Sequence, residues 1–154
     1  MMLYLNFEGV LHPATVRFIA GLSPELNFRG HHLFENVGAL ASVIATIPDL
    51  EITLNTWWTY HTGIRETIAL LPSDVAQRVS ASTIPHSSKC NEFPNRTLLA
   101  SQAAQSDSQP FVLLDHAGAR YPCQVRSNCF FVDPVTGLGD ERALHALSTL
   151  LKQH

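Results

Sequence analysis

Four short strand candidates in this 154-residue sequence end on polar residues that can do chemistry. Leu3-Tyr4-Leu5 gives way to Asn6 and Glu8, and Glu51-Ile52-Thr53-Leu54 to Asn55 and Thr56. Phe111-Val112-Leu113-Leu114 stops at Asp115 and His116, and Cys129-Phe130-Phe131-Val132 at Asp133. Carboxylates can relay protons or bind a hard cation, while hydroxyl and amide groups can orient an anion. Lys89 and Arg96 are the basic residues placed to hold that anion, although either also reads as a solvated surface charge. Asp115 is the best single candidate, because a carboxylate directly after four apolar residues needs a partner or water. Thr56 reads equally as a phosphate-binding hydroxyl and as a β-branched strand residue. Asp133-Pro134 reads as a turn. Trp57 and Trp58 divide between core packing and a pocket wall. Among eight histidines, His12, His61 and His116 could converge beside Asp115 as zinc ligands, but no HxH or HExxH spacing places two of them on one element.

Those residues need a scaffold that brings strand ends together. An unbroken apolar run such as the first, continuing through Phe7, reads as a strand buried on both faces, which calls for a parallel sheet. Leu33, Val37, Leu40, Ile44 and Ile47 recur at helical spacing and predict a helix stopped by Pro48. Ile64 to Leu71 predicts a short helix closed by Pro72, with a further capped turn through Val79. Ser80 to Asn95 reads as a loop with Ile84 marking a brief strand, Thr97 to Gln105 as a helix, and Asp140 as the opening of the last helix. Strands alternating with helices in this way predict one α/β domain with helices on both faces of a mainly parallel sheet. Reactive groups in such sheets gather beyond the carboxyl ends of the strands.

Composition narrows the function classes. Ten Lys+Arg against 13 Asp+Glu give a net charge of −3 with no basic run, so there is no clear nucleic-acid patch and no attraction to an anionic membrane. No stretch approaches the ~20 apolar residues of a membrane span. Cys90, Cys123 and Cys129 are odd in number and contain no CxxC pair, so neither a disulfide framework nor a zinc knuckle is expected. A cytoplasmic setting is the expectation.

The run Leu5-Asn6-Phe7-Glu8-Gly9-Val10-Leu11-His12-Pro13 resembles the first motif of the haloacid dehalogenase (HAD) superfamily, Asp-x-Asp-Gly-Val-Leu, with both aspartates replaced. Leu54-Asn55-Thr56-Trp57-Trp58 is similar to the second, Ser/Thr-containing motif, and Leu113-Leu114-Asp115-His116 to the aspartate motif after the fourth strand. Arg96 or Lys89 matches the basic third motif. The Leu-His-Pro after the first motif, the Trp after the second and Asp-Pro-x-x-Gly-Leu from Asp133 to Leu138 resemble the small, nearly capless HAD domains of RNA-repair-associated bacterial proteins.

The resemblance covers nearly the whole chain and implies a three-layer Rossmann-like fold over residues 1–154, with a small flap at 11–32. It implies a magnesium-assisted phosphohydrolase site, with Asn6 in the nucleophile's place, Glu8 as general acid and base, and Thr56 with Arg96 or Lys89 around the phosphate. In the family, magnesium bridges the nucleophile, the backbone carbonyl at the second aspartate's position and the later aspartate, here Asn6, Glu8 and Asp115. The departures bear on that chemistry. Asn6 is neutral and a poor nucleophile, Glu8 is longer by one methylene, and the metal set loses a negative charge. The expected function is therefore a weakly active or inactive phosphohydrolase, binding magnesium weakly and acting on a phosphorylated small molecule or an exposed macromolecular phosphate. The alternative is a non-catalytic phosphate-binding or regulatory module.

Overall fold

The computed structural model describes residues 1–19, 21–87 and 93–153. The chain opens with β1 (Met2–Leu5), a two-stranded hairpin of β2 (Val16–Arg17) and β3 (Glu25–Leu26), α1 (Val37–Ile44) and β4 (Glu51–Leu54). It continues through α2 (Trp57–Thr62), α3 (Ile64–Ile68), α4 (Ser73–Ala76), β5 (Val79–Ser82), α5 (Arg96–Ser106) and β6 (Phe111–His116), then ends with β7 (Cys129–Val132) and α6 (Glu141–Leu151). The main sheet has the order β5-β4-β1-β6-β7, with every neighbouring pair parallel. This is the α/β architecture expected from the alternation of elements, in the Rossmann-like form that the resemblance implied.

Side chains alternate across β1 because successive residues of a strand point to opposite faces. Leu3 and Leu5 join Ile52, Leu54, Val112 and Leu114 in a core closed by Leu40 and Ile44 of α1, Val75 of α4, and Leu147 and Leu151 of α6. Met2 and Tyr4 face the other way, with Leu113, against Ala100 and Ala104 of α5. Both faces of the central strands are therefore buried, which is why their sequences read as continuous apolar runs rather than alternating ones.

The register of the sheet creates the site. Leu5 lies between Leu54 and Leu114, and the next hydrogen bonds run from Asn6 N to Leu114 O (3.1 Å) and from Asn55 N to Leu5 O (2.8 Å). Asn6, Asn55 and Asp115 are thus adjacent at the carboxyl ends of three neighbouring strands.

Several sequence expectations need correcting. The helix expected from Leu33 starts at Val37, because Phe34 takes a left-handed backbone (φ 60°) and the Asn36 side chain is spent elsewhere. Its amide donates to Thr136 O at 3.0 Å and, more weakly, to Val10 O at 3.5 Å. Val79 to Ser82 is the edge strand β5 rather than a helical end and a loop. Its residues are partly exposed and largely polar, so an edge strand of this kind carries no apolar run to be read. The helix expected over Ile64–Leu71 is the shorter α3.

The Asp-Pro-x-x-Gly-Leu segment buttresses the first-motif loop. Asp133 Oδ1 accepts from Val135 N and Thr136 N, so it forms the turn expected of it, and those backbone donors hold its carboxyl below the ordinary range. Leu138 N then donates to Val10 O at 3.0 Å. Gly137 has φ 52°, and a Cβ there would collide with the Val10 carbonyl. Gly137→Ala is therefore expected to cost about 2 kcal/mol or more, combining left-handed strain with displacement of the loop. Urea unfolding should show a lower midpoint with an unchanged slope, and an unaltered midpoint would contradict this packing.

Candidate active site

Asp115, fully buried at the end of β6, is the centre of the polar network. Four donors converge on its two oxygens. Oδ1 accepts from Asn6 Nδ2 (2.8 Å) and from His116 N (2.8 Å). Oδ2 accepts from Arg96 Nη1 (2.6 Å) and from Tyr121 Oη (2.8 Å). An ionised carboxylate offers about four lone-pair sites, so this one is saturated without water.

Arg96 is the first residue of α5, whose amino end is set by Asn95 accepting from Leu98 N at 3.1 Å. Its guanidinium, 9 % exposed, reaches across to Asp115 and also donates to Asn55 O at 3.0 Å. Burial pulls this guanidinium down, but the charge and hydrogen bond of Asp115, with smaller contributions from Tyr121 and Glu8, leave it above its ordinary value. A pair buried this deeply is costly to break from one side, by roughly 3–5 kcal/mol, because the remaining charge loses its partner. The Tyr121 hydroxyl is held protonated by burial and by the neighbouring Asp115. The Asn55 amide lies within hydrogen-bonding distance of Tyr121 Oη (2.9 Å) and Thr83 Oγ1 (2.8 Å).

Asn6 uses both hydrogens of its amide. Besides Asp115 Oδ1, Nδ2 donates to the backbone oxygen of Glu8 at 2.6 Å. Both neighbours are acceptors, which fixes the amide with its nitrogen towards them. Its Oδ1 is buried without a partner among the described residues, as is Glu8 Oε1. Glu8 Oε2 accepts from Thr56 Oγ1 at 2.8 Å. Burial raises the Glu8 carboxyl above its ordinary range, and Asp115 adds to this, while Arg96, Glu8's own backbone N–H and Thr56 only partly oppose it. A carboxyl whose protonated form is favoured in this way suits a general acid.

Thr56 is the N-cap of α2, accepting from Trp58 N at 3.3 Å, so its hydroxyl serves the helix and Glu8 together. Trp58 is buried in the core while Trp57 lines the cavity beside the site. That cavity, about 300 Å³, opens over Asn6, Glu8 and Arg96, with Phe18 of the segment after β2, Trp57 and Phe93 among its walls. Gly9 (φ 76°) lets the first-motif turn pass His116, whose Cβ would lie 2.6 Å from a Cβ at position 9.

Asn6, Glu8, Thr56, Arg96 and Asp115 are therefore brought together, whereas Lys89 lies outside the described residues. His12 is not beside Asp115. It is buried against Phe34 and Trp58, its Nδ1 accepts from Phe34 N at 3.2 Å, and burial lowers its pKa to about 4, with Glu35 opposing weakly. Among the described residues no three His, Cys, Asp or Glu side chains gather to hold a metal ion, so the zinc grouping of His12, His61 and His116 is not formed. Sequence reasoning missed Tyr121. It lies in an irregular stretch before Pro122, and a phenol there carries no periodic signal.

Magnesium was the ion implied for Asn6, the Glu8 carbonyl and Asp115, and the arrangement does not fit it. Magnesium–oxygen bonds are about 2.0–2.1 Å long, so an ion shared by the Glu8 carbonyl and Asp115 Oδ1 would need the space in which Asn6 Nδ2 stands. Hydrogen-bond donors already occupy the lone pairs it would use.

Residues 2–143 match the protein-family model described as "HAD domain in Swiss Army Knife RNA repair proteins". Searches of curated proteins and of solved structures gave no match.

Because folding favours the protonated form of Glu8, the wild type should lose stability as pH rises from the ordinary carboxyl range through the raised pKa. Glu8→Gln keeps an acceptor for Thr56 and removes that titration. Its stability relative to wild type should therefore grow in urea titrations as pH rises above the ordinary carboxyl range, and a difference that stays flat would contradict the burial of an ionisable Glu8.

Proposed function

The chain belongs to the HAD domains of Swiss Army Knife RNA repair proteins, a phosphohydrolase family, and from that premise we propose that it is a phosphohydrolase-type domain in which hydrolysis is weak or lost. The observation that carries this reading is the Asn6 amide, whose nitrogen is bound to Glu8 O and Asp115 Oδ1. The family's covalent step needs an ionised carboxylate at this position to attack phosphorus. An amide oxygen carries no full charge, and attack through it would place positive charge on the amide. What remains is Glu8, with a raised pKa that favours holding a proton for a leaving group, and Arg96, both lining the cavity.

The β2–β3 hairpin acts in this reading as the small flap of residues 11–32, since Val16 and Phe18 line the cavity. With so small a cover the site suits a phosphate exposed on a larger molecule. The family's association with RNA repair favours an RNA end over a free metabolite. The net charge of −3 argues that such an end would be recognised locally rather than along a length of backbone.

A second reading, a phosphate-binding or regulatory module without turnover, is favoured by the commitment of the anion-holding groups. Thr56 Oγ1 serves Glu8 and Trp58 N, and Arg96 serves Asp115 and Asn55 O.

Asn6→Asp distinguishes the two. With magnesium and an aryl phosphate, the wild type should hydrolyse at or near background, and the variant should gain at least about tenfold. The gain is limited because the longer Glu8 misplaces its proton by ~1 Å, worth ~100-fold in rate, and Glu8→Asp added to Asn6→Asp should recover part of it. No gain in either variant, with fold and magnesium binding intact, would favour the module that only binds.

A further inference from the structure

We propose that the side chains of Asn6 and Arg96 together stand in for a divalent cation, so that this site holds its buried carboxylate without metal. This concerns the ionic requirement of the site and stands whether or not residual hydrolysis survives.

Asp115 is fully buried, and an unpaired carboxylate in such a place is strongly destabilising. A bound dication is one way to compensate it. Here the same two oxygens that would face the ion on this side, Glu8 O and Asp115 Oδ1, are joined instead by the two hydrogens of one amide nitrogen, at 2.6 and 2.8 Å. The full positive charge comes from Arg96, 2.6 Å from Asp115 Oδ2 on the other side of the carboxylate. An amide nitrogen and an ion cannot occupy that space together. Without an ion, turning the amide over would set the Asn6 oxygen against two acceptors and take a donor from Asp115, so the metal-free site holds the nitrogen inward.

Charge counting gives the same answer. The side chains bonded to the Asp115 carboxylate are one guanidinium, a neutral amide and a neutral phenol. An aspartate at position 6 would leave two adjacent carboxylates and a carbonyl against a single guanidinium, and the excess negative charge would call for a cation. The identity of residue 6 therefore decides whether the domain needs metal to be stable, separately from whether it has a nucleophile.

Thermal unfolding and calorimetric titration of the whole chain test this without any activity measurement. Wild type should melt at the same temperature in EDTA and in excess magnesium chloride, and magnesium titration should give no heat of specific binding. Asn6→Asp should melt several degrees lower than wild type in EDTA and recover as magnesium is added, because binding to the folded state alone stabilises it. Asn6→Ala removes the amide without adding charge. It guards against an Asn6→Asp chain that does not fold without metal, and it too should become responsive to magnesium, more weakly. A wild type whose melting temperature rises with magnesium would overturn the proposal, and so would two variants that fold and remain indifferent to the ion.

Discussion

The structure turns on one buried carboxylate. Asp115 sits where three parallel strands end side by side, and the low dielectric of that position leaves no choice but to surround it with donors. Asn6 comes from the adjacent strand, His116 N from its own chain direction, Tyr121 from the following segment and Arg96 from the first turn of α5. These contacts fasten the loop after β1 and the start of α5 to β6. The groups that in a hydrolase would be held ready for substrate are here largely engaged with one another.

Much of this was open to reading in the sequence, for a physical reason. Strands buried on both faces are apolar nearly throughout, so β1 and the first four residues of β6 appear as runs, and the polar residues that follow each run lie at a strand end. Because the register places Leu5, Leu54 and Leu114 abreast, those polar residues are neighbours in space. The edge strand β5 escaped because a half-exposed, serine-containing strand satisfies no such constraint, and α1 was drawn too long because apolar spacing continues through a turn in which Phe34 is left-handed.

The site was readable as a set of residues but not as a network. Arg96 could not be told from an ordinary surface charge until α5 was seen to aim it beneath the strand ends, and Lys89 remains outside the described residues. Tyr121 had no pattern to betray it. Nor does an asparagine at position 6 reveal which way its amide faces, and that orientation separates a diminished metal site from a closed one. Local spacing specifies which side chains meet, whereas hydrogen-bond direction follows from what the meeting partners can accept.

The most direct measurement is a crystal structure at a resolution that separates amide orientation by its contacts, grown with a large excess of magnesium and a phosphate mimic such as vanadate. The account requires the Asn6 nitrogen to remain between the Glu8 carbonyl and Asp115, with Arg96 still on the opposite carboxylate oxygen. Octahedral density in that position, with the Asn6 oxygen turned towards it, would contradict the account at its centre.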